Sequence, residues 1–385
     1  MFPGNNQILF YSLLKAGLWG NGYTNTRICG NSDWEEVFQL AREQSVQGII
    51  LQGLEWFIEH GVISKGDLPR KLLLRWINEV QMLEQKNRAM NIFIAGLIEK
   101  LRKDNIYAVL VKGQGIAQCY EKPLWRTCGD IDLLLDEDNY EKAKKLLMPK
   151  AKKVVKDYHF FKHIGLSLDG WMVELHGTFH GRLSGRIDKN LDQIQEQILK
   201  NKEIRVWYNG ETPVYLPKPD NDVVFVFAHI LHHFFFEGVG IRQICDWCRL
   251  LWTYRKEIDV KLLEYRLNRM ALMTEWKAFS AYAVEWLGMP ADAMPLYVEN
   301  AHWTKKAERI NSFVLKVGNF GQNQVRNTLC SKFLWTRKFE SLWIRLGLLV
   351  LHFRIFPKDS ILFFVNVLKS ALHSAYERNS NNKQQ

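Results

Sequence analysis

Apolar and polar positions change their period twice along the chain, and the changes mark three regions. Up to residue 104 the apolar residues recur at helical spacing. Ser32-Asp33-Trp34-Glu35 reads as a capping box, with Ser32 capping the Glu35 amide, and Val37, Leu40 and Ala41 continue the helix behind it. Leu73, Ile77, Val80, Leu83, Ile94, Leu97 and Ile98 predict one long helix, or two, between Leu72 and Leu101.

From 105 to 217 the pattern shortens to strands and turns. Ile106–Val111 is a β-rich run ending at Lys112-Gly113-Gln114-Gly115, after which Ile116–Tyr120 begins a helix. Asp130–Leu135 is a second strand, and Glu137–Leu147 is an amphipathic helix. His163–Leu168 and Trp171–His176 flank Asp169-Gly170, a two-residue hairpin link. Val214–Pro219, with two prolines, marks a boundary, and Asp220 or Asn221 caps the next helix. Residues 218–377 are helical again, and 378–385 form a polar tail. The expected fold is therefore α+β: a small mixed-sheet core at 105–217 flanked by an N-terminal helical region, 1–104, and a C-terminal helical domain.

Strand alternation singles out the chemistry. Asp130 and Asp132 sit i, i+2 in a strand, so both carboxylates share one face, and Met172, Glu174 and His176 share a face of the hairpin's second arm. Clustered carboxylates repel unless a cation stands between them, and hard oxygen donors suit Mg²⁺ or Mn²⁺. Glu174, on a neighbouring strand, would complete a three-acid metal set with Asp130 and Asp132. The Lys112-Gly113 turn before a helix favours phosphate, with Lys112 and Arg126 as cationic contacts and His176 beside the acids.

Charge and composition narrow the partners. The net charge of +11 favours anionic partners, but no Lys/Arg block marks a nucleic-acid arm. No run of 18 uncharged apolar residues is present, so no transmembrane helix is expected. The aromatic-rich runs at 342–356 and 361–368 read as packed helices, with a membrane-surface contact as the alternative. Six cysteines and a start without a basic, apolar leader suggest reduced thiols and a cytoplasmic location. Cys245 and Cys248 form a C-x-x-C without a second pair and carry no metal signal. His229, His232 and His233 share a helix face, read as cleft lining or packing more readily than as a zinc site. Arg242 and Asp246, at i, i+4, suit a structural pair.

These residues resemble the nucleotidyltransferases of the DNA polymerase β-type superfamily, and more narrowly a group of uncharacterised bacterial nucleotidyltransferases. Val111-Lys112-Gly113, Tyr120, Pro123, Arg126, Gly129-Asp130-Ile131-Asp132 and Glu174-Leu175-His176 carry the resemblance, over roughly residues 105–180. It implies metal roles for Asp130, Asp132 and Glu174, and nucleotide contacts from Lys112, Gly113, Gln114, Arg126 and His176. Gln114 stands where the superfamily usually has Gly or Ser, which leaves Lys112 as the candidate substitute for a serine–phosphate contact. The implied activity is metal-dependent transfer of a nucleoside monophosphate from an NTP to an acceptor hydroxyl. A non-catalytic nucleotide-binding module and a basic scaffold are the alternatives. Acceptor, base preference and oligomeric state are not readable in the sequence.

Overall fold

The computed structural model describes residues 4–20, 32–158, 162–180, 183–236, 238–318, 347 and 349–362. The N-terminal helices are α1 (Asn5–Trp19), α2 (Trp34–Glu43), α3 (Gln47–Glu59) and α4 (Arg70–Lys103). The central region holds β1 (Val109–Val111), α5 (Gly113–Ala117), β2 (Asp130–Leu134), α6 (Glu137–Leu147), β3 (Lys153–Tyr158), β4 (His163–Leu168) and β5 (Trp171–His176). It is followed by α7 (Gly185–Leu199), β6 (Ile204–Asn209) and β7 (Thr212–Pro217). The chain continues through α8 (Pro219–Phe236), α9 (Ile241–Thr253), α10 (Val260–Met270), α11 (Met273–Glu285) and α12 (Ala301–Val317).

The five-stranded sheet has the order β1-β2-β5-β4-β3. β2 and β5 run parallel, while the β1–β2, β5–β4 and β4–β3 pairs are antiparallel. A parallel pair needs a long crossover, and α6 with the β3–β4 hairpin supplies it. Alternation then sorts the two faces. Ile131, Leu133, Val173 and Leu175 pack with Met90, Ile94 and Leu97 of α4 and with Tyr140 and Ala143 of α6. The acids therefore project from the opposite face.

The N-terminal and C-terminal helices share one buried core, in which Leu13 and Phe57 belong to the same cluster as Trp247, Phe279 and Phe313. Polar ties cross it as well: Trp19 Nε1 donates to the Leu287 carbonyl at 2.7 Å, and the Ile241 amide to Gln44 Oε1 at 2.9 Å. Within this core α1 and α3 touch backbone to backbone. A Cβ on Gly53 would stand 1.9 Å from the Leu13 carbonyl oxygen, and one on Gly17 would stand 1.9 Å from that of Ile49. Gly53→Ala is therefore expected to cost about 1–3 kcal/mol by overpacking, measured as a lowered denaturation midpoint in urea.

Several local expectations are corrected. The cap of α2 is Asp33, not Ser32: its carboxylate accepts from the Glu35 amide at 2.9 Å and the Glu36 amide at 3.3 Å. The strand within 106–111 is shortened to Val109–Val111, and the helix expected from Ile116 begins at Gly113. The short extended piece expected at 214–219 is present, as Val214–Pro217 lie in β7, and it pairs with β6 as the second arm of a hairpin. Neither Asp220 nor Asn221 caps α8, which already starts at Pro219; Asp220 Oδ1 instead accepts from the Asp259 amide at 2.8 Å.

Of the aromatic-rich C-terminal runs, residues 347, 349–355 and 361–362 are helical and 356 is not; 342–346, 348 and 363–368 lie outside the described residues, as does the polar tail. Among the described residues no helix is long and apolar enough to cross a membrane. His352 is buried against Phe234, Phe235 and Phe313. Burial lowers its pKa from 6.5 to about 4, although a backbone bond at Phe234 opposes this. The unfolded chain thus binds this proton before the folded one does. The stabilisation is full above the unfolded value and is lost as pH falls from 6.5 toward 4, by up to about 3 kcal/mol. His352→Leu is expected to flatten that part of the stability–pH curve, read by urea unfolding at pH 7 and pH 4.

Candidate active site

The site grows from the β2–β5 register. Asp132 pairs with Glu174 and Asp130 with Met172, so the acids of adjacent parallel strands fall on one face. Asp130, Asp132 and Glu174 each offer a carboxylate oxygen, and these oxygens lie within 4.8 Å of one another. Asp132 is almost fully buried, at 2% exposure.

Lys112 enters from the β1 end, since its neighbour Val111 pairs with Asp132. Its Nζ stands 2.9 Å from Asp132 Oδ1. The backbone there is unusual: Lys112 has φ 58° with ψ −148°, and Gly113 has φ 45°. A lysine at positive φ is held at a cost, and such positions gather at functional sites. Gly113 also needs its missing side chain, since a Cβ would come within 3.3 Å of the Asp130 carbonyl oxygen and 3.4 Å of Cys128 Sγ.

Two histidines complete the polar face. His176 Nε2 lies 2.8 Å from Asp132 Oδ1 and 3.8 Å from Glu174 Oε2. His163, opposite His176 in the β4–β5 hairpin, has its Nε2 3.0 Å from Glu174 Oε2. The two imidazoles stack with centroids 4.4 Å apart and planes 17° from parallel.

The electrostatics follow from this crowding. Burial pushes Asp132 toward the neutral form, but Lys112 and His176 outweigh it and hold the carboxyl below its usual range. Glu174 is likewise pulled down to about 2 against burial, first by the His163 hydrogen bond. Asp130 moves the other way. The Asp132 charge beside it, then burial, raise its affinity for a proton, and Lys112 only partly offsets them. Burial of the Lys112 ammonium is outweighed by Asp132 and Asp130, which hold it charged. His176 is kept toward the neutral form by burial, despite its Asp132 bond.

The other expected site residues divide. His229 on α8 faces this region. Burial, the Lys112 charge and the neighbouring histidines, including His176, lower its pKa. Its Nε2 is 3.0 Å from that of His233, while His232 stacks tilted on Phe236 at 4.9 Å. Gln114 is turned into the interior, where Nε2 donates to Asn87 Oδ1 at 2.9 Å. Arg126 is not brought to the acids at all. At 3% exposure, its Nε donates to Asp246 Oδ1 at 3.0 Å and its Nη2 to Asp246 Oδ2 at 2.6 Å. Tyr120 Oη donates to the same carboxylate at 2.8 Å, and Arg242 Nη1 does so at 3.1 Å. The expected Arg242–Asp246 pair is present, inside a larger network that ties the β2 approach to α9.

Two residues with a bearing on the site are not among those expected from the sequence. His163 carries a usable signal, because a two-residue link at Asp169-Gly170 places it opposite His176. Arg242 lies close enough to Asp130 to lower that acid's pKa. Only the packing of α9 against α5, the helix that follows β1, brings it there, and no local signal marks it.

A model of a family described as "Uncharacterised nucleotidyltransferase" matches residues 30–288. The chain belongs to this family. The match runs from before α2 to the end of α11 and includes the sheet and the acid cluster. Searches of curated proteins and of solved structures found no match.

Proposed function

We propose that this nucleotidyltransferase moves a nucleoside monophosphate from an NTP to an acceptor hydroxyl and releases pyrophosphate. The observation that carries the proposal is the convergence of Asp130, Asp132 and Glu174 on one face of two parallel strands. Mg²⁺ or Mn²⁺ fits this donor set: hard carboxylate oxygens sit close together, and Asp130 is destabilised as an anion by Asp132. A divalent ion held there supplies Lewis-acid polarisation at phosphorus and offsets charge on the leaving pyrophosphate.

The chain's own groups set the remaining chemistry. Asp130, the acid whose negative charge Asp132 makes most costly, gains most from an ion between them. Lys112 holds Asp132 ionised and, together with the Gly113 turn, is placed to meet phosphate oxygens. Arg126 gives both prongs of its guanidinium to Asp246, whereas Arg242 gives that carboxylate a single Nη1 contact and also stands near Asp130, so the guanidinium assigned to the triphosphate is Arg242. Arg242→Met is expected to weaken NTP binding roughly tenfold, the loss of one charge-assisted contact, with a smaller change in folding stability. Calorimetric NTP titration and thermal unfolding measure the two effects.

The transfer itself is tested with ATP labelled at the α- or γ-phosphate, incubated with Mn²⁺ and a small-molecule cell extract. Nucleotidyl transfer leaves the α-label on an acceptor and the γ-label in pyrophosphate. Transfer of the γ-label to an acceptor would instead identify a phosphotransferase.

A further inference from the structure

We propose that His163, His176 and Glu174 form a second, nitrogen-rich metal site beside the carboxylate cluster, one that takes a first-row transition ion such as Mn²⁺ in preference to Mg²⁺. The inference rests on the nucleotidyltransferase reading only for the use made of the ion, not for its binding.

One donor pair already stands at a ligand–ligand distance, and the second must close by a few tenths of an ångström. Donors bonded at about 2.1 Å stand roughly 3.0 Å apart at right angles and roughly 3.4 Å apart in a tetrahedron. His163 Nε2 is 3.0 Å from Glu174 Oε2, and His176 Nε2 is 3.8 Å from the same oxygen. One donor atom from each of the three residues lies within 4.8 Å of the others. The stacked rings, 17° from parallel, set the two nitrogens side by side, His163 Nε2 on Glu174 and His176 Nε2 between Asp132 and Glu174. His163 and His176 are fixed as a pair by hairpin register, and Glu174 faces Gly165 on the same two strands. The ligands thus sit on adjacent strands of one rigid hairpin, which reduces the ordering cost of assembling them.

Ligand chemistry sets the preference. Imidazole nitrogen suits first-row ions such as Fe²⁺, Ni²⁺ and Zn²⁺, and Mn²⁺, the weakest binder of that series, accepts it as well, whereas Mg²⁺ is held by oxygen and sheds water reluctantly. Glu174 can serve both sites, since it belongs to the three-acid set as well. On binding, each Nε2 exchanges its carboxylate hydrogen bond for the ion, so His176 leaves Asp132 Oδ1, now 2.8 Å away. That exchange removes one of the two contacts on Asp132 Oδ1 and leaves the Lys112 ammonium, 2.9 Å away, as the other. A pair of ions flanking one carboxylate is the arrangement that clamps attacking and leaving oxygens in phosphoryl chemistry.

The test is pulsed electron paramagnetic resonance on the full chain loaded with Mn²⁺ alone, without nucleotide. Directly bound imidazole gives ¹⁴N hyperfine coupling, which carboxylate and water ligands do not. The expected result is ¹⁴N coupling in wild type, lost in His163→Gln/His176→Gln while Mn²⁺ still binds. Wild type is also expected to hold Mn²⁺ at least roughly tenfold more tightly than Mg²⁺, a gap that closes in the double variant. Mn²⁺ bound without nitrogen coupling in wild type overturns the site, and so does no Mn²⁺ binding. Both of these outcomes are read on the wild-type protein alone, so a poorly folding variant does not obscure them. Nitrogen coupling without NTP binding would leave the metal site standing and remove the nucleotidyltransferase reading instead.

Discussion

Asp132→Asn is expected to reduce nucleotidyl transfer by roughly 10³-fold or more while leaving the chain folded. Asp132 is the centre of the cluster: Lys112 and His176 both meet its Oδ1, and Glu174 lies opposite it in register. The substitution keeps the volume and removes the charge. Metal-assisted stabilisation of a phosphoryl transition state is worth several kcal/mol, and each 1.36 kcal/mol is about tenfold in rate. The fold survives because Lys112 keeps Asp130 and Glu174 as counter-charges and is not left alone in the interior. Transfer of α-label and the far-ultraviolet circular dichroism spectrum measure the two outcomes. Wild-type turnover in a folded Asp132→Asn protein would remove Asp132 from the mechanism.

Arg126→Met is expected to have its large effect on stability, about 3–5 kcal/mol. Breaking a buried pair strands the remaining charge, here Asp246 at 4% exposure. Tyr120 and Arg242 stay on the carboxylate but replace only part of a two-pronged guanidinium contact. Arg126→Met/Asp246→Leu should recover much of the loss, because a well-packed apolar pair no longer buries an unpaired ion. Urea denaturation of the single and double variants, with the double-mutant coupling energy, measures this. An Arg126→Met protein of normal stability but weakened NTP affinity would return Arg126 to the role of phosphate ligand.

The contrast between these two residues shows what local pattern can and cannot reveal. Asp130, Asp132 and Glu174 are legible because strand alternation sorts side chains by face without knowledge of the partner strand. The bounds of α6, β4 and β5 are legible for the same kind of reason: capping residues and an Asp-Gly link act over a few positions. Arg126 is not, because its partner lies on α9, far along the chain, and a guanidinium near a carboxylate cluster reads equally well as a ligand or as a strut. That β2 and β5 are neighbours is expected from the acids they carry, but their parallel direction is not, since it depends on a crossover through α6 and the β3–β4 hairpin.

Other elements carry signals that are weak or that compete. Asn209-Gly210, a common hairpin signal, closes β6 and opens the two-residue link to β7, yet the prolines that follow it point to a boundary instead. Lys153–Tyr158 alternates poorly, and Val154 and Val155 are both substantially exposed, as suits an edge strand. At the start of α2, Ser32 and Asp33 are both good caps, and the choice between them turns on backbone geometry one residue apart.

The most direct measurement is calorimetric titration of the four NTPs, each with Mg²⁺ or Mn²⁺, into wild type and into Asp130→Asn/Asp132→Asn. Binding that requires the metal in wild type and disappears in a folded double variant is the predicted result. Equal binding in both proteins, or no binding by folded wild type under any of these conditions, would contradict a metal–nucleotide site built on these acids.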